Sequence, residues 1–403
     1  MVIDSNPPPP SPPAASVAPI RTPAFATPRL VGRPNPIDRD RLAARLDGMF
    51  DRGRYTNDGP LVREFERSVA DVVGVEHCIA VSNATAAMEL AARALGLTGE
   101  VIVPAFTFVA TAHALDWLGL HPVFADIDPH THNLDPARIE ALITPRTTGI
   151  VGVHAWGRAC DVRAIEEVAG GHGIRVVYDA AHAFGCSKDD RMIGNFGDCE
   201  IFSFHATKFI QSFEGGMIAT RDAELAERLR LMRNFGFAGV DRIVSAGTNA
   251  KMSEAHAAMG LTSLESMPST LETNRRNHLA YRDGLRDVRG VELMDFQEPD
   301  RNNHQYVVLE IDPDRYGTTR DALAEHLRAH HVVARRYFTP PLHRVPPYDI
   351  RPAVDIPSLP HAERLSERVL VLPTGSQMDV ADIATVCSLI RDLPSRRADS
   401  RGP

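Results

Sequence analysis

Ile174-Arg175-Val176-Val177-Tyr178-Asp179-Ala180-Ala181-His182 places an acidic residue directly after a short apolar, β-branched run. Such a run reads as a buried strand. An aspartate at its end lies at the carboxyl edge of the sheet, where open α/β sheets bind ligands. Taken alone, Asp179 is equally a strand-end residue capping the next turn. Similar runs recur at Cys78–Val81, Val101–Val103, Pro122–Ala125, Gly149–Val153, Ile201–Phe204 and Met217–Ala219. Helical stretches lie between several of them. Ala84–Leu95 carries Ala87, Leu90, Ala91 and Leu95 on one face, and Asp161–Gly170 opens on an N-cap aspartate and ends at Gly170-Gly171. Strands buried on both faces and separated by helices point to an α/β domain built on a mostly parallel sheet. The last two runs sit close together, which allows a hairpin-like pair to interrupt the parallel order.

Beyond about residue 265 the pattern changes. A polar helix, Thr270–Leu285, leads into fewer strands (Tyr306–Leu309, Val332–Ala334) and two helices near Ala362–Leu370 and Val380–Ile390. The division expected is a Pro-rich disordered tail over 1–36, a large domain over 37–265, a smaller α+β domain over 266–395 and a short tail over 396–403. The N-terminal segment of the large unit is a candidate to join the small one. A cleft between the two domains is the default ligand site.

Bulk composition narrows the functions. Hydrophobic residues make up 43% and charged residues 24%, an ordinary globular balance. A formal net charge of −8 without a basic run disfavours nucleic-acid binding. The N-terminus has neither the basic nor the apolar region of a secretory signal, and no apolar run is long enough to span a bilayer. Five scattered cysteines without a CxxC pair read as reduced, buried thiols in a cytoplasmic protein. His130 and His132, in Asp128-Pro129-His130-Thr131-His132, read as a solvated loop, and no metal site is expected.

Three local signals carry chemistry. The first is Asp179. The second is Lys208 in Phe202-Ser203-Phe204-His205-Ala206-Thr207-Lys208, a lysine shortly after an apolar strand. By itself it is more simply a surface lysine. The third is Ser82-Asn83-Ala84-Thr85, where small residues open a helix and leave backbone N–H groups for an anion, or where Ser82 or Thr85 merely caps. The loop lacks GxxxxGK[ST], so it is no nucleotide-triphosphate P-loop. Together the three make a set suited to pyridoxal 5'-phosphate (PLP): an amine for the aldehyde, a carboxylate for the pyridine nitrogen and a cup for the phosphate.

From about Tyr55 to the C-terminal helices the chain resembles the DegT/DnrJ/EryC1/StrS family of PLP-dependent sugar aminotransferases. The motifs stand in family order: Gly59-Pro60 with Phe65-Glu66, Val81–Thr85, Val103–Thr111, Pro122–Pro129, Ile143–Thr147, Val153–Gly157, Tyr178–Gly185, Gly197–Lys208 and Glu214–Gly216. The resemblance implies the fold-type-I aminotransferase architecture, with a large, mostly parallel seven-stranded domain, and a homodimer with composite sites. It implies that Lys208 holds PLP as a Schiff base and shuttles the proton, and that Asp179 pairs with the pyridine nitrogen. His182 is expected near the ring hydroxyl and Phe108 on the ring face. Ala84, Thr85 and Ser203 are expected at the phosphate, joined by Asn249 from the neighbouring subunit. Arg335, Arg336 and Tyr337 are candidates for the substrate's diphosphate.

Two departures bear on the details. Asn83-Ala84-Thr85 stands where many relatives read NGT, a change that keeps the backbone N–H. Gly247-Thr248-Asn249-Ala250-Lys251-Met252 departs from the common G-[FY]-N-[YSA]-R. That variant resembles the subgroup that acts at C4 of dTDP-4-keto-6-deoxyglucose, with glutamate as amino donor. A C3 aminotransferase, a PLP-dependent sugar dehydratase and a regulatory protein that keeps the fold stay open. Lys208 argues against the dehydratase branch, which lacks it, and the Lys208/Asp179 pair against a regulator.

Overall fold

The computed structural model describes residues 22–296, 299–350 and 358–399. Its strands are, in chain order, β1 (Arg29–Leu30), β2 (His77–Val81), β3 (Glu100–Pro104), β4 (His121–Ala125), β5 (Thr147–Val153), β6 (Arg175–Asp179), β7 (Ser187–Lys188), β8 (Arg191–Met192), β9 (Cys199–Ser203), β10 (Gly216–Thr220), β11 (Val291–Leu293), β12 (Val307–Ile311), β13 (Val332–Val333) and β14 (Val369–Leu372). Seven of them form one sheet in the order β2-β10-β9-β6-β5-β3-β4. Only β10 runs against its neighbours, β2 and β9; the pairs from β9 to β4 are all parallel. The expected hairpin is therefore the β9–β10 pair.

Period-two alternation explains why these strands are apolar throughout. Ile79, Val81, Val151 and Ile201 enter one core, while Cys78, Ala80, Ile150 and Phe202 enter the core on the opposite face. The helix Pro60–Val73 docks beside β2 through an unusual cap. The buried Glu254 carboxylate accepts from Leu61 N at 3.0 Å and Val62 N at 2.9 Å. An anion there favours the helix N-terminus. A side chain on Gly59 would put its Cβ 2.3 Å from the Glu254 carboxyl carbon, so the Gly59-Pro60 pair makes room for that acid.

The smaller domain pairs β11-β12-β14 antiparallel against the helices Met267–Leu285, Arg320–Ala329 and Val380–Asp399. Tyr281, Leu309, Leu327 and Ile390 lie in its core. The helix expected over Ala362–Leu370 is instead Pro360–Arg368, and Val369–Leu372 forms β14 on β12. Four consecutive apolar residues suit a buried helix end or a buried strand equally, and pairing with β12 decides between them. The domains are tied where the Asp126 carboxylate, just past β4, accepts from His361 N at 3.1 Å and Ala362 N at 2.9 Å.

The expected disordered tail over 1–36 needs correction. Residues 1–21 lie outside the described residues. Residues 22–36 pack on the small domain: Phe25 is buried in its core, β1 pairs parallel to β13, and Arg29 meets Asp382 at 3.0 Å. One buried aromatic and a two-residue strand outweigh the polar, Pro-rich composition there. The tail expected over 396–403 is likewise helical as far as Asp399, and 400–403 lie outside the described residues. Among the described residues no helix is long and apolar enough to cross a membrane.

Candidate active site

Asp179 ends β6 at the carboxyl edge of the sheet. Its Oδ2 accepts from Thr111 Oγ1 at 2.9 Å and its Oδ1 from Ala181 N at 3.0 Å. Thr111 Oγ1 in turn lies 3.1 Å from Thr107 Oγ1. Donors on both oxygens orient the carboxylate.

Beyond β9 the chain loops back before β10. Phe204 N donates to Gly215 O at 2.8 Å, Ser212 N to Phe204 O at 2.7 Å and Lys208 N to His205 O at 2.9 Å. The buried side chains of Phe209 and Ile210 anchor this loop in the core. Lys208 is thus half-buried on a pinned backbone, with Nζ 3.4 Å from the hydroxyl of Tyr306. Burial lowers its amine to about 8, against the opposing pull of the Asp179 carboxylate.

The third part stands at the end of β2. Asn83, rather than Ser82 or Thr85, caps the helix Ala84–Ala94, accepting from Ala86 N at 2.8 Å. Gly216, the first residue of β10, lies so close that a Cβ there would sit 2.5 Å from the Asn83 carbonyl carbon. The antiparallel strand thereby brings the Lys208 loop against the helix N-terminus.

Aromatic rings wall the space between. Trp156 is fully buried and stacks on Phe338 with centroids 5.5 Å apart. His182 lies 4.4 Å from the Tyr306 ring, and its Nδ1 accepts from Trp156 N at 3.3 Å. Burial and the Lys208 charge hold the imidazole well below its usual pKa, so it is neutral and carries its proton on Nε2.

One cavity of about 440 Å³ collects Lys208, Asp179, His182, Ser203, Ala84, Thr85, Phe108, Arg335 and Tyr337. Phe108 stands at its mouth, 56% exposed. Two of the residues expected from the sequence are not among its lining. Arg336 turns away to pair with Asp321 at 3.1 Å. Asn249 is exposed, and its Oδ1 accepts from Lys251 Nζ at 2.7 Å. Its neighbour Ala250 accepts from Ser82 N at 2.8 Å, which brings that segment to the sheet edge without turning Asn249 into the cavity.

Thr111, Trp156, Tyr306 and Phe338 escaped the sequence reading. Thr111 ends the Val103–Thr111 motif with no local sign of a role, and Tyr306 reads only as the start of a strand. His132 also needs correction. It is buried, not solvated, and accepts from Trp156 Nε1 at 3.1 Å, with burial lowering it to about 3. All five cysteines are free and buried.

Comparison with known proteins fits this geometry. The model of the DegT/DnrJ/EryC1/StrS aminotransferase family matches residues 36–391. A dTDP-4-amino-4,6-dideoxy-D-glucose transaminase from Shigella dysenteriae is 36% identical over 367 residues, covering 91% of this chain and 99% of the relative. A dTDP-3-amino-3,4,6-trideoxy-alpha-D-glucose transaminase from Streptomyces venezuelae is 34% identical over 368 residues, covering 89% and 93%. The crystal structure of DesI with its TDP-sugar product is 52% identical, superposes with a TM-score of 0.90, and covers 94% of this chain and 97% of that one.

Proposed function

This chain belongs to the DegT/DnrJ/EryC1/StrS aminotransferase family, and we propose that it transfers an amino group from glutamate to C4 of dTDP-4-keto-6-deoxyglucose, with PLP held on Lys208. The observation that carries this reading is the convergence of Lys208, Asp179 and the Ala84-Thr85 helix N-terminus on one cavity. The name of the Shigella relative, a dTDP-4-amino-4,6-dideoxy-D-glucose transaminase, supports a 4-amino product over a 3-amino one.

The residues present fit the cofactor. A helix N-terminus with the Thr85 and Ser203 hydroxyls suits a dianionic phosphate. A carboxylate with both oxygens already hydrogen-bonded suits a pyridinium proton. PLP, when bound, supplies an aldehyde for the lysine and a ring that withdraws electrons from the carbon losing its proton.

The chain's own residues supply the rest. Lys208 Nζ, once free, takes the proton from the donor's α-carbon and later returns one to the sugar carbon that receives nitrogen. Its lowered pKa of about 8 keeps a usable neutral fraction near neutral pH. His182, neutral with Nε2–H available, donates toward the ring hydroxyl. Phe108 covers the ring face at the mouth of the cavity. Arg335, its guanidinium 5.2 Å from the Tyr337 ring centroid, holds the substrate diphosphate and thereby orients the remote sugar. Asn249 completes the phosphate site of the second subunit in a homodimer. Its exposure, and its absence from the lining of its own cavity, support that placement.

The test is to incubate the pure protein with glutamate and dTDP-4-keto-6-deoxyglucose and assign the product by NMR. An amine at C4 is expected. An amine at C3 moves the enzyme to the other branch, and no amine at all removes the reading.

A further inference from the structure

A second, smaller cavity touches Lys208 from the side of the small domain. Its volume is about 40 Å³, against about 440 Å³ for the main one. A single water needs roughly 10–15 Å³ on this measure. The smaller cavity therefore admits a group of about three heavy atoms, which is a carboxylate and not a sugar or a nucleotide.

Its lining is polar and contains no acid. Arg33, Asn274, Gln305 and Thr374 surround it, with Tyr306 and Tyr337 beside Lys208. Arg33 makes no ion pair among the described residues. Asn274 is buried and uses only its Nδ2 within the protein, donating to Asn303 O at 3.1 Å. Gln305 Nε2 donates to Thr207 O at 2.9 Å. Thr374 Oγ1 accepts from Asn277 Nδ2 at 3.4 Å, which leaves its own proton to donate. The main cavity, by contrast, includes Asp179 and Glu214. An uncommitted guanidinium beside hydroxyl donors, with no competing carboxylate, is a site for a small anion.

The N-terminal segment that carries Arg33 is fastened to the Lys208 loop. Asn35 Nδ2 donates to Phe209 O at 3.1 Å, and β1 holds the same segment on β13. Two separate contacts thereby hold Arg33 at the cavity that Lys208 also lines.

We infer that this cavity binds the α-carboxylate of the amino donor, with Arg33 as the residue that recognises it. The inference rests on Lys208 being the cofactor lysine. The donor's nitrogen must replace the Lys208 amine, and its α-carboxylate is one bond from the carbon bearing that nitrogen. The anion therefore has to lie against Lys208, where this cavity is. The acceptor is a neutral sugar at its reacting end and carries its charge on a remote diphosphate. Arg33 then serves the donor half-reaction, and Arg335, which lines only the main cavity, serves the acceptor half.

The two half-reactions separate these roles. The absorbance of the PLP holoenzyme is recorded first. Glutamate is then titrated against the PLP form, and dTDP-4-keto-6-deoxyglucose against the pyridoxamine form, for the natural chain and for Arg33→Ala and Arg33→Lys. Arg33 is exposed and unpaired, so the fold tolerates both changes. Arg33→Ala is expected to raise the half-saturating glutamate concentration by about tenfold to a hundredfold, the range for losing a charge-assisted pair. Arg33→Lys is expected to recover part of it, with the sugar titration unchanged in both. An unmoved glutamate constant, or equal losses in both halves, overturns the inference alone. A chain without a visible absorbance band overturns the functional reading and this inference with it.

Discussion

Lys208 Nζ lies 3.4 Å from the Tyr306 hydroxyl, and that phenol has no other hydrogen-bond partner among the described residues. Tyr306 is buried, and burial raises its pKa, so the hydroxyl keeps its proton. Packing alone would be satisfied by phenylalanine; the oxygen is explained by the amine. Tyr306 comes from the small domain and Lys208 from the large one, so the contact also registers how the domains sit.

Tyr306→Phe is therefore expected to bind cofactor normally and lose about tenfold in kcat, the scale of one hydrogen bond to a charged or reacting group. Steady-state rates measured alongside cofactor absorbance check this. Unchanged kcat would show the contact to be incidental.

Lys208→Ala should lower turnover by at least about 10³-fold, because the covalent tether and the proton shuttle disappear together. Borohydride reduction of the natural holoenzyme followed by peptide mapping should place the pyridoxyl label on Lys208. Label on another lysine would refute the assignment.

Asp179→Asn should fold normally and nearly abolish transamination, since an amide cannot stabilise the pyridinium proton. Thr111→Val removes the donor on Asp179 Oδ2, together with the Thr107 contact, and should cost about tenfold. Near-natural rates for Asp179→Asn would reduce it to a strand-end residue.

The amine of Lys208, lowered to about 8, sets a pH dependence for reconstitution. Only the neutral amine attacks the PLP aldehyde. The rate at which apoprotein takes up PLP should rise about fivefold from pH 7 to 8, about tenfold in all by pH 9, and level off beyond that. A lysine at the usual value of about 10.4 would still be gaining at pH 9, and such a profile would contradict the buried-amine reading. In the apoprotein the unfolded chain binds the extra proton between about pH 8 and 10.4. This group's contribution to stability therefore rises with pH across that window.

Mixing two inactive variants tests the composite site. Lys208→Ala removes the proposed tether, and on the proposed placement of Asn249 the change Asn249→Asp puts a carboxylate beside the partner's phosphate site. If Asn249 completes the partner's site, a mixed dimer has one site with both defects and one with neither, and activity returns on subunit exchange. Activity that stays absent would place each site within one chain.

The strand runs, the helix opening at Asn83-Ala84-Thr85, Asp179 at the end of β6 and Lys208 in the loop after β9 are all legible in the sequence. Each depends on residues within a few positions, where periodicity, capping and turn chemistry act. Composition misjudged residues 22–36, because Phe25 and β1 gain their partners only from the distant β13 and the small-domain core. Val369–Leu372 failed for the same reason, with β12 as its partner.

The sequence by itself thus determined the alternation of the sheet and the chemical types of the lysine, the carboxylate and the anion cup. Only the tertiary structure decided that Tyr306 meets Lys208, 98 positions away, that Thr111 meets Asp179, 68 positions away, and that Arg33, from the N-terminal segment, lines a cavity together with the same lysine. A local pattern specifies an element and the residue at its end. Which side chain stands opposite that residue depends on where elements far apart in the chain pack, and no short window of sequence contains both partners.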